Sequence, residues 1–235
     1  MNPPTTPPPN PSHAGQAERI PARLYAILDT GYAKAGRFSW LARELIAGGA
    51  GIVQVRAKSE STRERIRLIE TVLPECEAGG VPLIVNDDIE AATEFPGLGL
   101  HLGQDDLAVE SARERLGPGP LIGLSTHSRE QALEAYRKAL EGVIDYFAIG
   151  PVFATPTKPT YEPVTLDLVD WAAAQGFKVP HFFIGGVNLG TVHAVASRGA
   201  RRVVVVSDLL KAEDPRGQAA AILAKLLMRE GEGDG

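Results

Sequence analysis

The sequence predicts an α/β fold, a single (β/α)8 TIM barrel that follows a disordered proline-rich tail. The chain has 235 residues, of which 44% are hydrophobic, and this suits one domain with one sizeable core. Short apolar runs rich in β-branched residues alternate with longer amphipathic segments, which is typical of a parallel sheet. Eight such repeats fit between residues 23 and 228, so a closed barrel is favoured over an open doubly wound sheet.

The eight predicted strands are short and apolar, and the segments between them show the spacing of amphipathic helices. The strands are Leu24–Leu28, Gly51–Val55, Pro82–Val85, Gly99–Leu102, Leu121–Leu124, Tyr146–Ile149, His181–Ile184 and Val203–Val206. The clearest helices are Ser39–Ala47, Arg63–Ala78, Arg129–Leu140, Leu166–Ala174 and Gln218–Met228.

The two ends of the chain have a different composition. Residues 1–22 contain seven prolines and few apolar side chains, too few to offset the entropy lost on ordering. We therefore expect a disordered tail over residues 1–22, the barrel over residues 23–228 and a frayed C-terminus over residues 229–235.

Composition argues against several classes of function. The net charge is −5 without a basic stripe, so no nucleic-acid partner is expected. No apolar run reaches the roughly 18 residues of a membrane span, and the N-terminus lacks a basic stretch followed by an apolar one, so we expect a cytoplasmic protein. Cys76 is the only cysteine, which excludes an internal disulfide. The expected partners are small molecules, and a homo-oligomer remains open.

Polar residues cluster where the predicted strands end. Arg56, Asn86, Gln104, Ser125 and Ser207 each follow an apolar run. In a parallel barrel these ends share one rim, which is the rim where such barrels place their chemistry. Several weak local signals therefore combine into one candidate site.

The end of the second strand supplies two cations. Alternate side chains of a strand share a face, so Gln54, Arg56 and Lys58 are expected to point to the same side. A guanidinium can bind a phosphate through two hydrogen bonds, and an ammonium adds a mobile charge. The alternative is a solvated strand end that leads into a helix.

Acidic residues follow the third and fourth strands. Asp88 is explained by helix capping, which explains Asp87 less well. Because neighbouring strands lie roughly 5 Å apart, Asp87 and Asp106 could converge on one Mg²⁺, which takes one or two carboxylates together with substrate phosphate oxygens.

The segment after the fifth strand contains Ser125 and His127. Ser128 and Gln131 have the spacing of a capping box, which leaves Ser125 free to contact a substrate. His127 is a candidate general base, but an exposed histidine before a helix more often has no catalytic role. His101 is expected in the core or on the inner wall.

The remaining motifs suit a bound anion. Thr155, Pro156, Thr157 and Lys158 combine hydroxyls and an ammonium with a stiffening proline. Glycine-rich turns after the seventh strand and a helix start after the eighth form the recurrent phosphate site of this architecture, and Gly186 and Ser207 occupy those places. A tight turn is the alternative explanation for Gly186.

Taken in order, these motifs resemble the thiamine-phosphate synthase family. The likeness spans roughly residues 23 to 228 and comprises Gln54-x-Arg56-x-Lys58, Asn86-Asp87, His101 to Asp106, Ser125 to His127, Gly150 to Lys158, and the late "IGG" and "VVS". Each motif alone is weak, whereas the ordered set is specific.

The resemblance implies an Mg²⁺-dependent transferase of thiamine biosynthesis. This family joins 4-amino-2-methyl-5-hydroxymethylpyrimidine diphosphate to a thiazole phosphate, and it releases diphosphate. Cationic groups that stabilise the developing negative charge of the leaving group would suffice, without a nucleophilic side chain.

The resemblance also implies roles for individual residues. It places Gln54, Arg56, Lys58, Asn86, Ser125 and Lys158 on the pyrimidine diphosphate, with Arg56, Lys58, Lys158 and Ser125 also catalytic. Asp87 and Asp106 would bind Mg²⁺. The thiazole phosphate would contact Thr155, Pro156, Thr157, Gly186, Val206 and Ser207.

Two rival functions remain open. A thiazole tautomerase uses the same barrel, but it lacks the Mg²⁺ carboxylates and the Thr-x-Thr-Lys loop, and this sequence contains both. A barrel that binds phosphate ligands without catalysis is the second rival.

Overall fold

The computed structural model describes residues 20–154 and 165–228. Eight parallel strands pair in sequence order, and the last pairs with the first, so the barrel is closed and the predicted fold is confirmed. The strands are β1 (Leu24–Asp29), β2 (Ala50–Arg56), β3 (Leu83–Asn86), β4 (Gly99–Leu102), β5 (Ile122–Thr126), β6 (Tyr146–Ile149), β7 (His181–Phe183) and β8 (Val203–Val205).

Helices surround the strands and follow the predicted amphipathic segments to within a few residues. They are α1 (Phe38–Ala47), α2 (Thr62–Gly79), α3 (Ile89–Thr93), α4 (Val109–Leu116), α5 (Arg129–Leu140), α6 (Thr165–Gln175), α7 (Val192–Ala196), α8 (Ser207–Leu210) and α9 (Pro215–Leu227), with a short 3-10 helix (Ala35–Arg37) before α1. Within the described part of the chain, no helix has the length and apolar character needed to span a membrane.

Local sequence signals explain where α2 and α9 begin. Ser61 and Glu64 form a reciprocal capping box at the start of α2, in which each side chain accepts from the other residue's backbone N–H. Asp214 caps α9 by accepting from the N–H of Gly217, and Pro215 occupies the first helical position, where its missing N–H is not needed.

The strands separate two apolar layers because successive side chains point to opposite faces. Val53 and Val55 of β2 lie in the outer layer, between barrel and helices. Ile52 of the same strand lies in a separate inner cluster with Tyr25, Tyr146 and other residues of the barrel interior. This alternation also places Gln54 and Arg56 toward the interior, as the sequence predicts.

The packed chain begins earlier than residue 23. Ile20 and Ala22, which the sequence analysis assigns to the tail, are buried in the inner cluster. A Cβ atom on Gly51 would lie 2.7 Å from the Cβ atom of Ala22, so β2 packs closely on this segment. These apolar side chains close the barrel interior at the end opposite the candidate site. Residues 1–19 and 229–235 lie outside the described residues.

His181 is packed among aromatic rings on the outer side of the barrel. Its ring stacks on Phe147 at 5.6 Å and lies edge-on to Phe177 and Phe183 at 5.5 and 5.8 Å. Burial lowers the pKa of His181, and the nearby charge of Arg202 acts in the same direction, while a hydrogen bond to the Val179 carbonyl opposes it. The folded protein therefore favours the neutral imidazole.

This environment predicts a pH-dependent stability. The unfolded chain binds a proton at His181 more readily than the folded chain, so this contribution is present above the ordinary pKa of about 6.5 and is lost as pH falls below it. Relative to the variant His181→Phe, the wild type should lose stability below pH 6.5, by at most about 1.4 kcal/mol per pH unit. Urea unfolding between pH 5.5 and 8 measures this, and parallel profiles for the two proteins would contradict it.

Candidate active site

A cavity opens at the carboxyl ends of the strands, on the rim that the sequence analysis selected. Its lining includes seven predicted site residues, namely Gln54, Arg56, Asn86, Ser125, Gly186, Val206 and Ser207. A neighbouring groove is lined by Lys58, Asn86 and Asp87, so Asn86 borders both spaces. The predicted residues Thr155, Pro156, Thr157 and Lys158 lie outside the described residues.

Arg56 is held by an acidic residue that was not among the predicted site residues. Its guanidinium forms an ion pair with Asp29, which is 3% exposed and stands opposite Arg56 in the pairing of β1 with β2. The other carboxylate oxygen of Asp29 accepts from the N–H of Gly31 at 2.8 Å. A guanidinium carries five N–H donors, and Arg56 also lines the cavity, so it can bind an anion while Asp29 fixes its position.

Lys58 lies beyond the last residue of β2, so strand alternation no longer determines its direction. Its Nζ lies 3.1 Å from Oδ2 of Asp87, and its side chain is half-exposed. Lys58 therefore borders the groove beside the cavity, whereas Gln54 and Arg56 line the cavity itself.

Asp87 and Asp106 are brought together, as the sequence predicts. Their carboxylates lie close enough to interact electrostatically. Burial raises the pKa of the Asp87 carboxyl, the neighbouring Asp106 raises it further, and Lys58 acts in the opposite direction. Asp106 accepts from the N–H of Gly103 at 2.7 Å.

The backbone of Asp87 is unusual, because its φ of 63° lies in the left-handed region. A residue other than glycine adopts this conformation at some cost, and such positions cluster at functional sites. This conformation separates Asp87 from Asp88, which caps α3 by accepting from the N–H of Ala91 and also pairs with Arg65. The two adjacent carboxylates therefore have different interaction partners.

The pair fits a divalent cation that prefers oxygen ligands. Two carboxylates in contact repel each other unless a cation or a proton lies between them. Among the described residues, no group of three or more His, Cys, Asp or Glu side chains is placed to bind a metal. A cation here would therefore complete its coordination with water or substrate oxygens, which Mg²⁺ does readily.

Ser125 and His127 have different surroundings. The Oγ of Ser125 lies 2.9 Å from Nε2 of His101, whose side chain also lines the cavity. Nδ1 of His127 lies 2.5 Å from the carbonyl of Gly150. Gln131 donates its backbone N–H to Ser128 as expected for a helix cap, but its side chain accepts from the backbone of His127.

The glycines after β7 are fixed by close packing. Gly185 and Gly186 have φ values of 96° and 67°, and Cβ atoms there would lie 2.4 Å from Pro151 and 2.6 Å from Phe153. Ser207 begins α8 on the neighbouring side of the same cavity. Positions 185 and 186 therefore require glycine, and both residues also line the cavity.

Comparison with known proteins agrees with this arrangement. The family model described as thiamine monophosphate synthase matches residues 24–209. The chain belongs to the thiamine monophosphate synthase family. A thiamine-phosphate synthase of Thermobifida fusca is 43% identical over 206 residues, covering 88% of this chain and 93% of the relative. One from Thermus thermophilus is 42% identical over 181 residues, covering 77% and 85%.

Solved structures extend the likeness to the fold. The thiamine phosphate pyrophosphorylase of Pyrococcus furiosus superposes with a TM-score of 0.75 at 28% identity, covering 90% of this chain and all of that one. A geranylgeranylglyceryl phosphate synthase of Thermoplasma acidophilum shares the barrel with a TM-score of 0.64 at 11% identity, covering 91% of this chain and 97% of the other. The predicted membership of the thiamine monophosphate synthase family is confirmed.

The contact between Asp87 and Asp106 predicts a trade-off between stability and metal binding. Without divalent cations, Asp106→Asn should stabilise the protein by up to about 1 kcal/mol, because it removes a like-charge contact at a partly exposed site. The variant should also lose most of the rise in melting temperature that Mg²⁺ produces in the wild type. Thermal unfolding with EDTA and with Mg²⁺ measures both effects.

Asp105→Asn serves as the matched control, since it removes the neighbouring exposed carboxylate. It should retain the Mg²⁺-dependent rise. An Asp106→Asn protein that responds to Mg²⁺ as the wild type does would rule out this carboxylate as a ligand.

Proposed function

We propose that this chain couples 4-amino-2-methyl-5-hydroxymethylpyrimidine diphosphate to a thiazole phosphate and so forms thiamine phosphate and diphosphate. The observation that carries the proposal is that a fixed arginine lines the cavity while Asp87, which interacts with Asp106, lines the neighbouring groove of the same rim. Such a rim can hold a diphosphate together with its counter-ion.

The proposed reaction is a dissociative substitution at the pyrimidine methylene. The bond between this carbon and the diphosphate oxygen breaks, and the bonding electron pair leaves with the diphosphate. The ring nitrogen of the thiazole then donates its lone pair to the methylene carbocation, which forms the new carbon–nitrogen bond. Neither step needs a nucleophilic side chain.

Arg56 would stabilise the leaving diphosphate as its negative charge grows. Because Asp29 already orients the guanidinium, little reorganisation is needed when the bond breaks. Lys58 would contribute a second positive charge from the groove beside Asp87. Lys158 is proposed for the same anion on the strength of its motif.

Asp87 and Asp106 would hold Mg²⁺, which supplies positive charge to the diphosphate oxygens. Asn86 lies next to Asp87, and it borders both the cavity and the groove, where it can contact the same substrate. Gln54 and Ser125 lie deeper in the cavity and are proposed to contact the pyrimidine ring.

The thiazole phosphate would occupy the opposite side of the cavity. Gly186, Val206 and Ser207 line that side, and Gly185 and Gly186 have left-handed backbone conformations there. Thr155, Pro156 and Thr157 are proposed to complete this site. The two substrates would then meet above the barrel interior, with the diphosphate over β2 and β3.

A coupled assay tests the function directly. The purified protein, supplied with both substrates and Mg²⁺, should form thiamine phosphate and diphosphate in equal amounts, and EDTA should abolish both. Diphosphate release without thiamine phosphate would contradict the coupling. Binding of both substrates without turnover would favour a non-catalytic phosphate-binding barrel, and isomerisation of a thiazole precursor alone would favour a tautomerase.

The role of Arg56 predicts a large kinetic effect. Arg56→Ala should lower kcat on the order of 10²-fold or more, because it removes a donor aimed at developing charge. Arg67→Ala, which removes an exposed arginine of α2, should leave kcat unchanged. A decrease of less than threefold for Arg56→Ala in steady-state assays would count against its assignment.

A further inference from the structure

A continuous chain of hydrogen bonds crosses the barrel interior beneath the cavity. Nε2 of Gln54 donates to Oη of Tyr25 at 2.7 Å, and Oη of Tyr25 lies 3.0 Å from Oη of Tyr146. Oη of Tyr146 lies 3.1 Å from Nδ1 of His101, and Nε2 of His101 lies 2.9 Å from Oγ of Ser125. The chain therefore joins two residues proposed to contact the pyrimidine.

All five side chains are buried, with at most 9% of any residue exposed. They come from five different strands, β1, β2, β4, β5 and β6. The hydroxyls of Tyr25 and Tyr146 do not line the cavity, so they must find hydrogen-bond partners inside the barrel. A fully satisfied buried network is rigid, so each hydroxyl has few orientations available.

Close packing prevents the rings from moving apart. Tyr146 stacks on His101 at 5.6 Å, and Phe182 lies edge-on to Tyr25 and Tyr146 at 5.5 and 5.7 Å. A Cβ atom on Gly123 would lie 2.1 Å from Cζ of Tyr146, so the position occupied by Tyr146 requires a glycine opposite it.

The donor at one end is consistent with a single direction that runs through the whole chain. Gln54 gives a hydrogen to Tyr25, so the single hydroxyl hydrogen of Tyr25 is available to Tyr146. In the direction that we infer, the hydroxyl of Tyr146 donates to Nδ1 of His101. In the same direction, His101 carries its hydrogen on Nε2 and donates it to Oγ of Ser125.

This leaves the hydroxyl hydrogen of Ser125 to point away from His101. Ser125 lines the cavity, so its hydroxyl becomes a donor toward a bound molecule. Burial raises the pKa of both tyrosines, which keeps both hydroxyls protonated.

We propose that Tyr25, Tyr146 and His101 are positioning residues that hold the Ser125 hydroxyl as a hydrogen-bond donor, and that this selects a ring presenting a nitrogen acceptor to Ser125. The inference rests on the proposed function, because the ring concerned is the pyrimidine of the diphosphate substrate. None of the three residues needs to touch the reacting atoms.

The tautomer of His101 tests the direction of the chain in the unaltered protein. Nitrogen-15 NMR of histidine-labelled protein, with the His101 signals identified by their loss in His101→Asn, should show the Nε2–H tautomer. The Nδ1–H tautomer would reverse both bonds made by His101 and turn the Ser125 hydroxyl toward His101, which would overturn the proposal. This measurement requires no activity.

The variant Tyr146→Phe tests the consequence for substrate selection. It keeps the ring and removes the hydroxyl, so Ser125 is no longer held as a donor. The experiment compares kcat/KM for the pyrimidine substrate with kcat/KM for two analogues, in each of which one ring nitrogen is replaced by CH. In the wild type, the ratio of substrate to analogue should be high for one of the two analogues, the one that lacks the nitrogen facing Ser125. In Tyr146→Phe that ratio should fall about fivefold or more, the effect of one typical hydrogen bond.

The control is Tyr136→Phe, which removes a tyrosine hydroxyl on α5 whose ring packs against Phe177. Tyr136→Phe should leave the kcat/KM ratio unchanged. The KM for the thiazole phosphate should also be unchanged in Tyr146→Phe. Tyr25→Phe breaks the same chain one step further away and should reduce the ratio in the same direction, which provides a second variant if Tyr146→Phe does not fold.

The outcomes separate this inference from the proposed function. An inactive wild type would refute the proposed function, while the NMR measurement would still report the direction of the chain. An active wild type whose selectivity is the same in Tyr146→Phe would refute the inference alone.

Discussion

Closure of the sheet is the constraint on which the rest of the structure depends. The pairing of β8 with β1, through Leu24 with Val203 and Ala26 with Val205, leaves no free edge and brings the carboxyl ends of all eight strands to one rim. Residues as distant in sequence as Gln54 and Ser207 therefore line the same cavity. An open sheet of the same elements would spread these side chains along a line.

The charged side chains of that rim interact with one another in pairs. Asp29 fixes Arg56, while Lys58 and Asp106 both act on Asp87, so each charged group has a neighbour that determines its position or its ionisation. The chain as a whole is acidic, with a net charge of −5. Recognition of anionic substrates in this protein therefore depends on local geometry, because the overall field does not attract them.

The sequence was sufficient to predict features that follow from periodicity and from the ends of strands. It placed the eight strands, the proximity of Asp87 to Asp106 and the helix caps at Asp88 and Ser128. It did not select Asp29, which directly follows the predicted first strand and could have been found by the rule applied to the other strand ends.

Cross-barrel contacts could not be predicted in this way. Periodicity indicates that Tyr25 and Tyr146 face the interior, but their contact depends on barrel radius, strand stagger and the space left by Gly123. Ile20 and Ala22 were assigned to the tail for a similar reason, since composition around them is proline-rich whereas their burial depends on the barrel they close.

The central claim is that carboxylates from β3 and β4 share one cation with a bound diphosphate. Anomalous diffraction from crystals grown with Mn²⁺ and inorganic diphosphate tests it most directly. The account predicts one peak within bonding distance of Asp87, Asp106 and diphosphate oxygens, with Arg56 on the same diphosphate. A metal ion that binds the diphosphate without either carboxylate would contradict it.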